Sequence, residues 1–251
     1  MPIFRSETSS PPRRPAATIR LPAFAAALLC AVFALSSHAA DERDMNKRAA
    51  PCMACHGKEG RAASDGYYPR IAGKPAGYLY NQLVNFRDGR RQQYPLMTHL
   101  VQHLSDDYLK EIAEYFSALH APYPPAQSVE GATPQLLEKG RALVVNGDPA
   151  RNIPSCASCH GEALTGVVPS TPSLLGIPRD YINSQFGAWR EGTRRAAAPD
   201  CMGQIAKQLA PEEVSAVSAW LASQSMPADP APSTKTLKLP VACGSVQGSG
   251  R

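Results

Sequence analysis

Cys52-Met53-Ala54-Cys55-His56 and, 104 residues further on, Cys156-Ala157-Ser158-Cys159-His160 are two copies of one pattern, C-x-x-C-H. Residues three and four apart share one face of a helix. Two thiols so placed can add to the two vinyl groups of one haem, and the histidine that follows can bring an imidazole nitrogen to the iron. The pattern is the signature of covalent haem attachment. Two other chemistries use C-x-x-C. A thioredoxin-like redox pair follows a strand, and no strand pattern precedes either motif. A four-cysteine zinc site would leave both histidines without a role. Each motif is therefore read as the attachment site of one haem c, through Cys52 and Cys55 in the first and Cys156 and Cys159 in the second. His56 and His160 are the expected iron ligands.

Downstream of the motifs the sequence repeats at an offset of 103: Pro69 with Pro172, Gly73 with Gly176, Pro75 with Pro178, Tyr78 with Tyr181, Gln82 with Gln185, Arg87 with Arg190 and Gly89 with Gly192. The offset drifts to 105 at Met97 and Met202, as small loop insertions produce. The chain is thus read as a tandem duplication: an N-terminal domain over residues 41–120, a proline-rich linker over 121–133, a C-terminal domain over 134–226 and a tail over 227–251.

Both halves read as all-α. Residues 42–50 suit a short helix leading into the first motif. Tyr78 to Arg87 carries Leu79, Leu83 and Phe86 at helical spacing. Ser105 is an expected N-cap with Asp106 and Asp107 behind it, followed by the stripe Leu109, Ile112, Ala113, Phe116 and Leu119. In the second half Thr133 caps a helix opened by Pro134, with Leu136, Leu137, Leu143 and Val144 inward. Tyr181 to Arg190 repeats the middle helix. Pro211 opens the last one, with Val214, Val217 and Leu221 inward and Trp220 beside them. Halves of this size are short of apolar core, and a covalent haem supplies much of it.

A histidine occupies one face of a haem iron, and a methionine on the other gives an electron carrier of high potential. Met97 lies 41 residues after His56, and Met202 lies 42 after His160. Both are expected in loops before the last helix, as the sixth ligands. His99 and His103 compete near Met97, but the second half has no histidine to match them. Met45, Met53 and Met226 are expected to be structural or solvent-facing.

The N-terminus reads as an export signal. Arg5, Arg13, Arg14 and Arg20 precede an apolar run from Leu21 to Leu35, and small residues follow up to Ala40. That run is short of the ~20 residues a membrane span needs and fits a signal peptide of residues 1–40, cleaved near Ala40, with the mature chain in the periplasm. Of the 251-residue chain's formal charge of +5, four arginines and one glutamate in this leader supply three, which leaves about two. So weak a surplus gives no basis for nucleic-acid binding. It leaves room for peripheral membrane association.

Taken together, the duplicated C-x-x-C-H, the Pro-x-hydrophobic-x-Gly-x-Pro blocks (Pro69 to Pro75, Pro172 to Pro178), the Tyr-x-x-x-Gln-x-x-x-x-Arg-x-Gly helices and the paired methionines resemble the dihaem class I cytochromes c, and most closely cytochrome c4, over residues 42–224. The resemblance implies two small helical domains, each wrapping one haem with His/Met ligation, packed about a pseudo-twofold axis with the haem propionates near each other. It implies that a proline carbonyl, from Pro69 and from Pro172, orients each histidine. Redox partner proteins are implied as well: a dehydrogenase or quinol-oxidising complex as donor, a terminal oxidase of a respiratory chain as acceptor.

The tail and two further cysteines, Cys201 and Cys243, depart from the family pattern. In an oxidising compartment a Cys201–Cys243 disulfide is expected. It would tie the tail over Met202 and, by chain entropy, contribute about 4 kcal/mol.

Three functions are weighed. A dihaem carrier of single electrons, with no catalytic residues, fits best. A cytochrome subunit of a dehydrogenase complex, for example one oxidising sulfide or an alcohol, uses the same domains. A dihaem peroxidase would need an open iron face, which Met97 and Met202 argue against. The arginine clusters after the middle helices (Arg87, Arg90, Arg91; Arg190, Arg194, Arg195) suit either solvated surface or propionate partners.

Overall fold

The computed structural model describes residues 45–62 and 66–246. The expected signal peptide, residues 1–40, lies outside the described residues, as do positions 41–44 of the expected first domain and the last five of the tail. All regular structure within the described residues is helical, with isolated bridges and no strand. The first half comprises α1 (45–56), α2 (Ala76–Arg87), α3 (Pro95–Val101) and α4 (Asp106–Ala118). In the second half come α5 (Pro134–Asn146), α6 (Ala157–His160), α7 (Arg179–Glu191), α8 (Cys201–Gln208) and α9 (Pro211–Ser223). No described helix is long and apolar enough to cross a membrane.

The helix starts follow from local chemistry. Ser105 Oγ accepts the Tyr108 N–H at 3.3 Å and Thr133 Oγ1 accepts the Leu136 N–H at 3.2 Å, so each satisfies an amide that a helix start leaves unpaired. The middle helices begin two residues earlier than the periodicity indicates, at Ala76 and Arg179. Pro75 and Pro178 sit immediately before them with extended backbone, and a proline there loses no helical hydrogen bond.

Met97 and Met202 depart from the sequence expectation in their setting. They lie on the short helices α3 and α8, not in loops. Pro95 opens α3. Asp200 caps α8, its Oδ1 accepting the Gly203 N–H at 2.9 Å and its Oδ2 the Ala196 N–H at 2.9 Å. These two start signals outweigh the turn character of the flanking residues.

The second half has one core cluster of thirteen buried residues, drawn mainly from α5, α7 and α9 and including Val144, Ile182, Trp189, Val217 and Leu221. The first half has two smaller clusters. Five residues gather around Phe116 and Ala49, and three around Leu109, Phe86 and Val101. Met45 and Met53 pack on the Phe116 cluster and Met226 on the larger core, so all three are structural. At the α5–α9 crossing a Cβ on Gly140 would sit 2.2 Å from the Ala216 carbonyl oxygen, so only glycine permits this approach.

Main chain also joins the halves. Gly77 N–H donates to the Pro169 carbonyl at 2.9 Å, and a Cβ on Gly77 would lie 2.7 Å from that oxygen. Arg91 and Arg194 form an antiparallel bridge, flanked by Gln92 N–H to Thr193 O and Arg195 N–H to Arg90 O, both 2.7 Å. The proline-rich stretch 121–133 is fastened to both sides. Arg70 donates to the carbonyls of Ala121 and Pro122 and stacks 3.8 Å from the Tyr123 ring centre, while Gln127 N–H reaches Ala222 O at 2.9 Å.

Candidate haem centres

Each C-x-x-C-H motif sits on a helix, the first on α1 and the second ending α6. His56 and His160 are both buried. His56 Nδ1 lies 2.8 Å from Pro69 O, and His160 Nδ1 lies 2.8 Å from Pro172 O. A carbonyl only accepts, so each Nδ1 carries the proton and each Nε2 keeps its lone pair. Burial lowers the pKa of both imidazoles and outweighs the opposing pull of the carbonyl; Lys74 lowers that of His160 further. Two neutral imidazoles with fixed tautomer thus present a basic nitrogen, the form a metal requires.

The space those rings face is a continuous, mostly apolar cavity. It is lined by Cys52, Cys55, His56 and Met97 from the first half and by Cys156, Cys159, His160 and Met202 from the second. The expected attachment cysteines, histidines and methionines of both halves therefore line one space. His99 is exposed, as is His103, and neither lines the cavity. Burial pushes the Cys156 thiol up to about 12, and raises Cys52 and Cys159 as well. A thioredoxin-like pair needs a thiol that ionises easily, so these cysteines are unsuited to dithiol exchange. Among the described residues no three His, Cys, Asp or Glu side chains converge as a metal cage.

Sequence reasoning left the role of the arginines open, and the structure divides them. Arg87 pairs with Asp88 and Asp106, and Arg90 with Asp88. Arg190 donates to the Leu209 and Ala206 carbonyls at the end of α8. Arg91 and Arg194 are buried at the seam, 3% and 6% exposed, and both line the cavity. Arg91 donates to Gln82 Oε1 at 3.0 Å and Gln185 Oε1 at 2.9 Å; Arg194 donates to Gln185 Oε1 at 2.6 Å and to Gln82 Oε1 at 3.4 Å. The duplicated glutamines and arginines thus form a crossed square. Burial beside Arg91 depresses Arg194 to about 10. No ion pair neutralises either guanidinium among the described residues, and Arg91 Nε and Trp189 Nε1 are buried without a hydrogen-bond partner there.

A haem fits this residue set. It offers a large apolar disc for the cavity and propionate anions for two uncompensated guanidinium groups, and an isolated buried charge is costly without such a counter-ion. Lys74, also buried in the lining, adds a third cation.

Residues 137–225 match the Cytochrome c family. The chain is 37% identical over 182 residues to a thiosulfate dehydrogenase electron acceptor of Stutzerimonas stutzeri, covering 71% of this chain and 81% of that one. It is 33% identical over 189 residues to cytochrome c4 of Pseudomonas aeruginosa, covering 74% and 90%. The chain belongs to the cytochrome c4-like dihaem cytochromes c. The solved cytochrome c4 of Acidithiobacillus ferrooxidans superposes with a TM-score of 0.58 at 32% identity, over 70% of this chain and 99% of that chain. A thiosulfate dehydrogenase of Marichromatium purpuratum superposes with a TM-score of 0.61 at 32% identity; 69% of this chain matches, and the match spans 36% of that longer chain. This cytochrome therefore consists of two tandem cytochrome c domains, carries covalently bound haem c and transfers electrons to and from partner proteins; it is a carrier, not an enzyme.

The Cys201 and Cys243 sulfurs are joined, with the Cα atoms 4.9 Å apart. Leu239, Val241 and Val246 of the tail line the same cavity as Met202. Gly244 N–H donates to Pro199 O at 2.9 Å, and Asn81 Nδ2 of α2 donates to Ser245 O at 2.8 Å. The Asn81 contact, the burial of Arg91 and Arg194 and the unpartnered Trp189 indole escaped sequence reasoning.

Proposed function

We propose that this cytochrome is exported to the periplasm and accepts electrons one at a time from a dehydrogenase acting on thiosulfate, passing them on to an acceptor such as a terminal oxidase. Cys52 and Cys55 hold one haem and Cys156 and Cys159 the other. His56 and Met97 flank the first iron, His160 and Met202 the second. Bound haem supplies a one-electron iron couple. The protein fixes its surroundings: Pro69 and Pro172 hold the imidazoles neutral and aimed, the methionine helices lie on the same cavity, and Arg91 and Arg194 meet the anionic edge. Histidine and methionine side chains holding each iron would leave it no place for a substrate, which suits electron transfer and not ligand chemistry.

The observation that carries this reading is the twofold occurrence of one arrangement, a buried histidine tied to a proline carbonyl with a methionine on the same apolar cavity. The thiosulfate donor is supported by two relatives, 37% and 36% identical, that are electron acceptors of thiosulfate dehydrogenase. The test is to mix the oxidised dihaem protein with a thiosulfate dehydrogenase and thiosulfate and follow the haem absorption. Reduction of both haems within the dehydrogenase's turnover is expected. Oxidised haems under those conditions, in a protein that ascorbate reduces normally, would remove thiosulfate dehydrogenase as the donor.

A second reading, a permanent subunit instead of a diffusing carrier, is favoured by the longer Marichromatium chain, which contains a region of this fold. Co-purification in fixed stoichiometry from the native host distinguishes the two.

A further inference from the structure

The helices that carry the two methionines differ on their outer faces. On α3 Leu96 and Leu100 are more than half exposed, and so is Tyr67, whose ring meets that of Tyr94 at the start of α3, 5.4 Å centre to centre. All three line the haem cavity. No Asp, Glu, Lys or Arg lies between Gln92 and Leu104, so this open face is apolar and uncharged. On α8 the counterparts Cys201 and Ile205 are partly buried, and the chain's own tail takes the place that is open on α3. Leu237, Leu239, Val241 and Cys243 are partly buried and the residues between them exposed, the two-residue period of an extended chain lying on a surface. Leu239 and Val241 line the cavity that Met202 lines. This strap is fastened at both ends. Ser233 N–H donates to Gly166 O and Ser233 O accepts the Val168 N–H, both at 2.9 Å. Cys243 is bonded to Cys201, and a Cβ on the next residue, Gly244, would lie 2.2 Å from the Ala198 carbonyl oxygen. Among the described residues the first half has no such segment: past α4 the chain leaves as the linker, held by Arg70 and Ala222.

We propose that the tail, held by the Cys201–Cys243 bond, closes the methionine side of the C-terminal haem site to protein partners, and that the electron-donating dehydrogenase docks on the open face of Tyr67, Leu96 and Leu100. The tail shows what chemistry such a face takes, since an apolar, extended segment covers its counterpart on α8. An exposed apolar patch that borders a functional cavity marks a contact surface, and without charges of its own it suits a partner patch that is apolar and uncharged as well. Each electron that the dehydrogenase draws from thiosulfate then enters at the N-terminal iron, ferric becoming ferrous. It crosses the seam to the C-terminal iron, and the first iron returns to ferric. The inference rests on the ligation and donor proposed above.

The test uses the full dihaem protein and has one arm that needs no partner. In the fully reduced protein a neutral gadolinium chelate should broaden the methyl resonances of the N-terminal haem several-fold more than those of the C-terminal haem. Cys201→Ser with Cys243→Ser should bring the two sets level. Equal broadening in the unaltered protein, or an unchanged ratio in the double variant, overturns the tail as the cover. The second arm follows reduction by a thiosulfate dehydrogenase supplied with thiosulfate. Leu100→Glu, which puts a charge on the open face, should slow the second-order step at least tenfold. Ala242→Glu, on the outer side of the tail, should leave it within twofold. Equal slowing by the two variants, or none by Leu100→Glu, overturns the docking face. The rate should also vary little with salt, and a steep fall would place docking on a charged surface instead. An unaltered protein that the dehydrogenase does not reduce would defeat the donor reading, and one with a single haem the ligation; the chelate arm judges the tail without the dehydrogenase.

Discussion

The two halves share a plan and differ in what holds it together. Among the described residues the C-terminal half has a single thirteen-residue buried cluster, while the N-terminal half has two, of five and three residues. On α3 of the N-terminal half Leu96 and Leu100 are more than half exposed. Their counterparts at the 105-residue offset, Cys201 and Ile205 on α8, are partly buried, and Cys201 is bonded to the tail. Duplication copied the parts proposed to hold the haems: cysteines, histidine, proline carbonyl and methionine. It did not preserve the parts that make a half stable on its own. The N-terminal half therefore depends more on its haem, and the C-terminal half more on protein.

The strongest way to break that comparison is to remove one haem at a time. Cys52→Ser with Cys55→Ser should leave one haem per chain by mass spectrometry, as should Cys156→Ser with Cys159→Ser. The first pair should cost more helicity by circular dichroism, because two small clusters cannot replace the apolar surface of the haem. Equal loss from the two pairs would mean that the larger core of the C-terminal half does not count.

Next in size is loss of a methionine. Met97→Ala or Met202→Ala should lower the potential of its own haem by on the order of 100 mV, well inside the ~0.8 V that axial ligands span. Each should also open that iron to added cyanide. A haem whose potential and cyanide binding stay unchanged would show that its methionine is packing and not a ligand.

Breaking the Cys201–Cys243 bond sharpens the same contrast. The bond closes 42 residues of sequence separation, for which the chain-entropy relation gives about 4 kcal/mol. Cys201→Ser with Cys243→Ser should therefore lower the thermal midpoint of the C-terminal half and speed cyanide entry at Met202, with the N-terminal haem unaffected. Midpoints that fall together would indicate that the halves unfold as one unit.

Much of this was legible in the sequence because its signals are local. C-x-x-C-H, Ser105 and Thr133 before their helices, and the opening prolines each act within one turn of chain. Pro69 and Pro172 came through family likeness, since a carbonyl thirteen or twelve residues from a histidine leaves no local trace. The arginine clusters defeated sequence reasoning for a different reason. Arg91 is buried because Gln185 and the Arg194 backbone, about a hundred residues away, close over it, and no window along the chain contains both sides. The short helices bearing Met97 and Met202 are only seven and eight residues long, too short for a clear apolar period, and only a proline at N1 and an Asp200 cap mark where they start.

The smallest effects lie at the start of the last helix of each half, where the duplicated position is Ser105 in one and Ala210 in the other. Ser105 caps α4 with its own hydroxyl. Ala210 has no side-chain oxygen, and Glu213 one turn on compensates: its Oε2 accepts the Ala210 N–H at 2.9 Å while Arg151 holds both carboxylate oxygens at 2.8 and 3.1 Å. Ser105→Ala should cost about 1 kcal/mol at any pH, as a neutral cap does. Glu213→Gln should cost about 1 kcal/mol at neutral pH, held to that by solvent around the half-exposed Arg151. Here the cost depends on pH. The hydrogen bonds from Arg151, and secondarily from the Ala210 N–H, hold the Glu213 carboxyl below its ordinary range. Its stabilisation is thus present above the unfolded carboxylate pKa of about 4.3 and fades as pH falls through the lower folded value. Denaturant titrations at pH 7 and pH 3 should find the Glu213→Gln difference shrinking in acid while the Ser105→Ala difference persists. A Glu213→Gln cost unchanged at pH 3 would make the carboxylate's charge irrelevant and leave α9 capped by geometry alone.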